Sequence, residues 1–257
     1  MGADLQLSVV MPIYNGVPFL KDAINDLLCQ TYKDFELICV DDGSQDKSLD
    51  VIKYYANGDD RIIYISQPNC GAGNARNKGL SMASGKYVIF LDCDDRYAPS
   101  FFESMLRKAD ETDADIVLCD ASVFDNYKYQ PMDSSWVLRK AYLVNDTFAP
   151  EDIDRRIFNI TSGMPWNKMF RRQFIIDENI EFENIQYWND TYFSFVLLAS
   201  AKKIAVIDEE LVHYRMNRPG AITSAFKGKN VDIGLTLLVT IMQELKRRDI
   251  YAKYWIS

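Results

Sequence analysis

Two patterns alternate along the first part of this chain, and that alternation restricts its fold more than any other feature. Short runs at residues 7–11, 35–40 and 87–91 are rich in β-branched and aromatic side chains and read as buried strands, and residues 61–66 read as a further strand. Between them lie stretches with helical spacing. Residues 19–30 place Phe19, Leu20, Ala23, Ile24, Leu27 and Leu28 on one face, residues 47–55 follow Ser44 as a candidate cap, and a small-residue stretch opens at Gly71. Strand and helix in turn predict an α/β fold with a mostly parallel central sheet flanked by helices and joined by right-handed connections. Such sheets bind ligands beyond the carboxyl ends of their strands. The loops at 12–16, 41–44, 67–73 and 92–97 should therefore share one edge.

The fourth run has the sharpest chemistry. Tyr87, Val88, Ile89, Phe90 and Leu91 lead straight into Asp92, Cys93, Asp94 and Asp95. In an extended chain Asp92 and Asp94 point the same way and Asp95 the other. Two carboxylates at the end of a buried strand are costly unless a cation sits beside them. A hard divalent ion that also binds phosphate oxygens meets that need. Taken alone, such a pair is more often a solvated turn that stops a strand; the convergence of several polar loops is what favours a site.

Charge and cysteine content exclude some classes. A net charge of −8 argues against a nucleic-acid partner, which calls for a basic footprint. From residue 202 onward there are ten Lys and Arg against six Asp and Glu, so a basic tail follows an acidic body. That suits peripheral contact with an anionic membrane surface and, equally, an ordinary solvated helix face. Five cysteines without a C-x-x-C pair read as reduced thiols in the cytoplasm. The sequence has no signal-type start and no apolar run of membrane-span length, so any membrane contact is peripheral, at the inner face of the cell membrane.

Downstream, the pattern predicts a helix over 101–109, a strand over 116–119, a helix over 190–201 and short strands at 204–207 and 211–214. Residues 124–149 are polar and aromatic with no clear period. An amphipathic helix is expected over 230–248, its stripe made of Val231, Leu235, Leu238, Met242 and Leu245 and its end of Lys246, Arg247 and Arg248. The aromatic ending 251–257 reads as a cut from a longer chain.

Taken together, several motifs resemble the family 2 glycosyltransferases of the GT-A fold. They are Val10, Met11, Pro12, Ile13, Tyr14 and Asn15; Asp41, Asp42, Gly43 and Ser44; Asn69 through Gly79; and Leu91 through Asp95, in the family's order and spacing. Trp188, Asn189 and Asp190 resemble the acidic pair that carries the family's base, and residues 213–220 its segment near the donor phosphates. The resemblance implies a GT-A domain over residues 1–226, with a nucleotide-binding half to about 120 and an acceptor half after it. Residues 227–257 would form a C-terminal helical extension. It further implies an inverting hexosyltransferase that uses a UDP-sugar and Mn2+ or Mg2+, with a glycan or lipid-linked acceptor in cell-surface polysaccharide synthesis.

The resemblance also implies residue roles. Tyr14 would stack the base, Asp42 would accept the uracil imino hydrogen, and Asn69 and Arg76 would bind the nucleotide, with Pro12 and Cys93 in the same set. Asp92 would hold the ribose or the metal's waters. Asp94 would ligate the metal, with His213 as a second candidate ligand, and Asp95 would be structural. Arg215 would contact the diphosphate, and Asp190 would be the catalytic base. Trp166 and Lys168 are candidates to face the acceptor. The chain departs from the family at Asn189, where Glu is usual, and at Ala221, where Ser is frequent. Two other readings remain: a nucleotidyltransferase making sugar nucleotides, which would call for a basic Gly-rich loop after the first strand, and a non-catalytic nucleotide-sugar-binding domain.

Overall fold

The computed structural model describes residues 5–153, 156–220 and 231–254. The first half follows the predicted alternation: β1 (Leu7–Ile13), α1 (Val17–Leu28), β2 (Phe35–Asp41), α2 (Ser48–Ala56), β3 (Ile62–Ser66), α3 (Ala72–Met82) and β4 (Tyr87–Phe90). β1 pairs in parallel with β2 and β4, and β2 with β3, so the carboxyl ends of β1, β2 and β4 lie on one edge. After them come β5 (Arg96–Tyr97), α4 (Phe101–Thr112), β6 (Ile116–Asp125), β7 (Pro131–Met132), β8 (Thr147–Phe148), β9 (Lys168–Arg171), α5 (Arg172–Glu178), α6 (Thr191–Ser200), β10 (Ile204–Met216), α7 (Val231–Arg247) and α8 (Tyr251–Tyr254).

The sheet runs β3-β2-β1-β4-β9-β6-β10-β5, with β7 on β6 and β8 on β10. Three features depart from the sequence reading. β9 inserts antiparallel between β4 and β6. The two short strands expected at 204–207 and 211–214 are one long strand, β10, whose pairing with β6 shifts register between Ile207 and Val212. A bulge there interrupts the apolar alternation without ending the strand. The N-cap of α2 is Lys47 rather than Ser44, whose hydroxyl instead accepts a 3.0 Å hydrogen bond from the Asn15 backbone.

Two cores lie on the two faces of the sheet. One gathers α1, α2 and α4 through Leu20, Ile24, Ile52, Phe101 and Met105. The other gathers α3, α5 and α6 through Ala75, Phe174, Phe193 and Leu197. β1, β2 and β4 are buried throughout because both faces are covered, whereas β3 at the sheet edge leaves Ile63 and Tyr64 exposed. In the second core Phe90, Phe170, Phe182 and Phe193 form a ring cluster, with Phe182 and Phe193 stacked at 3.9 Å.

α7 corrects the expected stripe by rotation. It buries Leu237, Ile241 and Leu245 in the second core, while Leu235 and Leu238 stay more than half exposed. The spacing allowed either face, and packing against α6 chose the one containing Ile241. Its basic end is largely paired. Arg248 binds Glu178 and Glu244, Arg247 binds Glu244, and Lys253 binds Glu151. No described helix is long and apolar enough to cross a membrane. The proposed boundary at 226, the residue Ala221 and the end of the 251–257 segment lie outside the described residues.

Candidate active site

The loop after β1 and the loop after β2 are stitched together. Asn15 adopts a left-handed conformation, and its side-chain oxygen accepts hydrogen bonds from the backbone of Gln45 (2.8 Å) and Asp46 (3.3 Å). Asp41 is buried and accepts a 2.8 Å bond from Ser66, closing the β2 end. Asp42 is also buried, and its oxygens accept three bonds: from Gln67 Nε2 (2.8 Å), Cys70 N (2.9 Å) and Gly71 N (2.8 Å). Its carboxylate therefore shapes the loop carrying Asn69. Gly43 sits at φ +70°, where an added Cβ would meet Asn69 N at 2.8 Å, so a larger residue would be both strained and crowded. Beside this loop opens a cavity of about 690 Å³ lined by Gln67, Asn69, Cys70, Asn74, Lys78 and Asn184. Tyr14 stands 47% exposed at the same edge, free to offer a ring face.

Two members of the expected nucleotide set take other positions. Pro12 lies inside β1, level with Val40, and is buried. The Cys93 thiol is buried against Gly16, where an added Cβ would come within 2.9 Å of the sulfur. Only their backbones border the edge, because strand pairing and core packing claim both side chains.

Arg76 is the hinge of the constellation. It is buried on α3, its Nη2 donates to Asp92 at 2.8 Å, and its Nη1 donates to the side-chain oxygen of Asn189 at 2.9 Å. Its guanidinium lies 5.5 Å over the Phe182 ring. One cation thus ties the acid loop after β4 to the start of α6, where Asp190 is the N-cap residue. Asn189 fills the place of a usual acid and acts as a neutral acceptor for Arg76. Close approach of α3 to this segment depends on Gly73, whose added Cβ would meet Glu183 O at 2.3 Å. Gly73→Ala is expected to destabilise the protein by about 1–3 kcal/mol through overpacking against backbone. A fall of several degrees in the thermal midpoint would check it.

Asp190 makes no side-chain capping bond. Burial pushes its carboxyl above the usual carboxylate range and Asp92 adds to this, while Arg76 and Lys168 pull it down. Asp94 is held up by burial and by Asp92, with Arg218 opposing. Its carboxylate pairs with Arg218, a residue that the sequence reading gave no role. The Arg-Pro-Gly run at 218–220 was the available signal, but nothing local shows which acid an arginine beyond a strand end will meet. Asp95 is buried; one oxygen accepts the Arg215 backbone N–H at 2.8 Å, and the other has no partner among the described residues.

Arg215 and His213 of the last motif both have partners within the chain. Arg215 is buried, donates to the Asp94 carbonyl at 2.7 Å and lies between the Phe19 and Phe124 rings. It braces the acid loop through the Asp94 carbonyl and the Asp95 carboxylate. His213 shares a 2.7 Å hydrogen bond with Ser122 through Nδ1. Among the described residues no three His, Cys, Asp or Glu side chains converge as a ready-made metal site. Burial raises the Tyr214 phenol, and the nearby charges of Asp95, Asp92, Asp94 and Asp190 act in the same direction. Trp166 is buried and stacks on Tyr214 at 5.0 Å.

With this geometry established, comparison with known proteins is decisive. The Glycosyl transferase family 2 model matches residues 8–177. The chain belongs to glycosyl transferase family 2. A family relative, the putative glycosyltransferase EpsH of Bacillus subtilis (strain 168), is 31% identical over 254 residues, covering 96% of this chain and 72% of EpsH. The uncharacterized glycosyltransferase EpsJ of the same strain is 32% identical over 222 residues. That match covers 84% of this chain but only 62% of EpsJ, so the chain spans less than two thirds of that relative. The crystal structure of S. aureus TarS residues 1–349 in complex with UDP-GlcNAc shares the fold, with a TM-score of 0.79 at 22% identity over 97% of this chain and 71% of that one. The GT-A type fold and the family expected from the motifs are borne out.

Proposed function

We propose that this family 2 chain transfers a sugar from a UDP-sugar to an acceptor hydroxyl with inversion, Asp190 acting as base. The observation that supports this reading is the Asp92–Arg76–Asn189 hydrogen-bonded bridge, which ties the acid loop to the residue before Asp190. TarS was solved with UDP-GlcNAc on the same fold, which supports a uridine nucleotide as donor. In this reading Tyr14 stacks the base, and the cavity beside Asn69 takes the nucleoside, with Asp42 reached in place of Gln67.

A divalent cation fits the acid loop. Asp92, Asp94 and Asp95 crowd three carboxylates into four residues, and a buried Asp95 oxygen is without a partner among the described residues. Asp94 would hold the ion, and phosphate oxygens would supply further ligands, since no three His, Cys, Asp or Glu side chains converge as a ready-made site among the described residues. Mg2+ or Mn2+ held there neutralises charge growing on the leaving diphosphate. Arg218, already on Asp94, is placed to follow the diphosphate when a cation takes the carboxylate.

Asp190 then accepts the acceptor hydroxyl's proton while its oxygen forms the bond to the anomeric carbon and the nucleotide leaves from the other face. Attack opposite to departure inverts the centre. We place the acceptor among cell-surface glycans or lipid-linked sugars and the chain in the cytoplasm, which five free thiols suit. The test is calorimetry of UDP with Mn2+, with Mg2+ and with chelator, followed by a screen of UDP-sugars for metal-dependent release of UDP. Binding indifferent to the cation would end the bridging role, and a screen with no turnover on any UDP-sugar would end the donor assignment.

A further inference from the structure

We propose that Lys168 is a positioning residue for the reaction: it locks the 161–164 loop against the start of α6 and supplies the charge that keeps Asp190 ready to take a proton. The inference rests on the reading of Asp190 as base.

Lys168 lies on β9 and is completely buried. Its ammonium group donates toward Met164 O (2.6 Å), Asn167 Oδ1 (2.8 Å), Ser162 O (2.9 Å) and Thr161 Oγ1 (3.2 Å). Four neutral acceptors surround three protons, so the group is fully solvated by one loop. Among the described residues it makes no ion pair with a carboxylate. A buried lysine held only by neutral groups is costly. Burial lowers its pKa to about 7, with Asp190 and then Cys119 acting in the opposite direction.

The loop that Lys168 gathers is pressed onto α6. An added Cβ at Gly163 would lie 2.7 Å from Thr191 Oγ1 and 3.0 Å from Thr191 Cα. Thr191 is the first residue of α6 and follows Asp190 directly. A continuous line of contact therefore runs from the buried ammonium through the loop to the backbone that aims the base. The charged groups near enough to act on Asp190 are Arg76 from α3, Asp92 from the end of β4 and Lys168 from β9, with the Tyr214 phenol from β10. Arg76 is already matched by Asp92. Lys168 is thus the cation near Asp190 whose charge no other acid balances by an ion pair among the described residues. A neutral side chain of similar length would fill the same volume but leave Asp190 in a more anionic surrounding, with four acceptors unserved.

The test does not need the acceptor. The side-chain carboxyl of Asp190 is titrated by carbon NMR in 13C-aspartate-labelled protein, its signal identified by its loss in Asp190→Asn. In Lys168→Met the midpoint is expected to rise by about one unit, a tenfold gain in proton affinity. A folded Lys168→Met protein whose Asp190 titrates as in the wild type would overturn the proposal. If that variant does not fold, the reciprocal measurement decides: the Lys168 Nζ midpoint, followed by nitrogen NMR, should fall by a similar amount in Asp190→Asn, because the coupling between two groups is mutual. No movement there would overturn it equally. Transfer surviving in Asp190→Asn would instead remove the base reading, whatever the titrations show.

Discussion

Asp190→Asn is expected to lower turnover by about a thousandfold while UDP binds as in the wild type, because general-base assistance is worth roughly 10²–10⁴. The substitution keeps the shape of the side chain and removes its negative charge and its ability to accept the proton. It should not unfold α6, since Asp190 makes no side-chain capping bond that the amide would lose. The pH dependence has a defined sign. The base works ionised, so kcat/KM should fall as pH drops through a value above the usual carboxylate range, in keeping with a carboxyl raised by burial and Asp92. For stability the sign is reversed. A carboxyl raised in the folded state contributes stability below its unfolded pKa and loses that contribution as pH rises through the folded one. At neutral pH the Asn variant should therefore melt at the same temperature as the wild type or slightly higher, the usual relation between an active-site charge and the fold that contains it. A pH–rate profile and a melting curve on the two proteins check both halves. Undiminished turnover in Asp190→Asn would move the base elsewhere.

The second large effect is expected at Asp94. Asp94→Asn should make UDP binding insensitive to Mn2+ or Mg2+ and cut turnover by about a thousandfold, close to 4 kcal/mol of transition-state stabilisation. Arg218 makes this result interpretable. It holds the Asp94 carboxylate, so cation and guanidinium compete for one group. Arg218→Ala should let the cation bind more readily in the absence of nucleotide, yet lose affinity for UDP when the cation is present. Titration of Mn2+ by electron paramagnetic resonance, with and without UDP, separates these outcomes. Equal Mn2+ affinity in wild type, Asp94→Asn and Arg218→Ala would remove Asp94 from the cation site.

Much of the nucleotide-binding half was readable because its information is local. The runs around Val9, Leu37 and Ile89 are apolar on both faces, and only a covered parallel strand needs that. Each run ends in Pro, Gly, Asn or Asp, so the loops at the carboxyl edge were also visible. The other half was less so. β9 is four residues long, and its placement between β4 and β6 depends on pairing with segments some fifty and eighty residues away. α7 offered two apolar faces, and the neighbouring helix selected between them.

The same division runs through the site. Sequence alone determined which acids and arginines this chain has, and that Asp42, Asp92 and Asp94 stand at strand ends on a common edge, since strand direction and side-chain alternation follow from local pattern. Only the tertiary structure decided their partners. Arg76 bridges to Asn189, Arg215 is spent on the Asp94 backbone, Arg218 takes the Asp94 carboxylate and Lys168 is buried behind Asp190. Arginines and lysines look alike in a sequence. Which one is buried, paired or left facing a ligand is settled by desolvation and by distances between residues far apart in the chain.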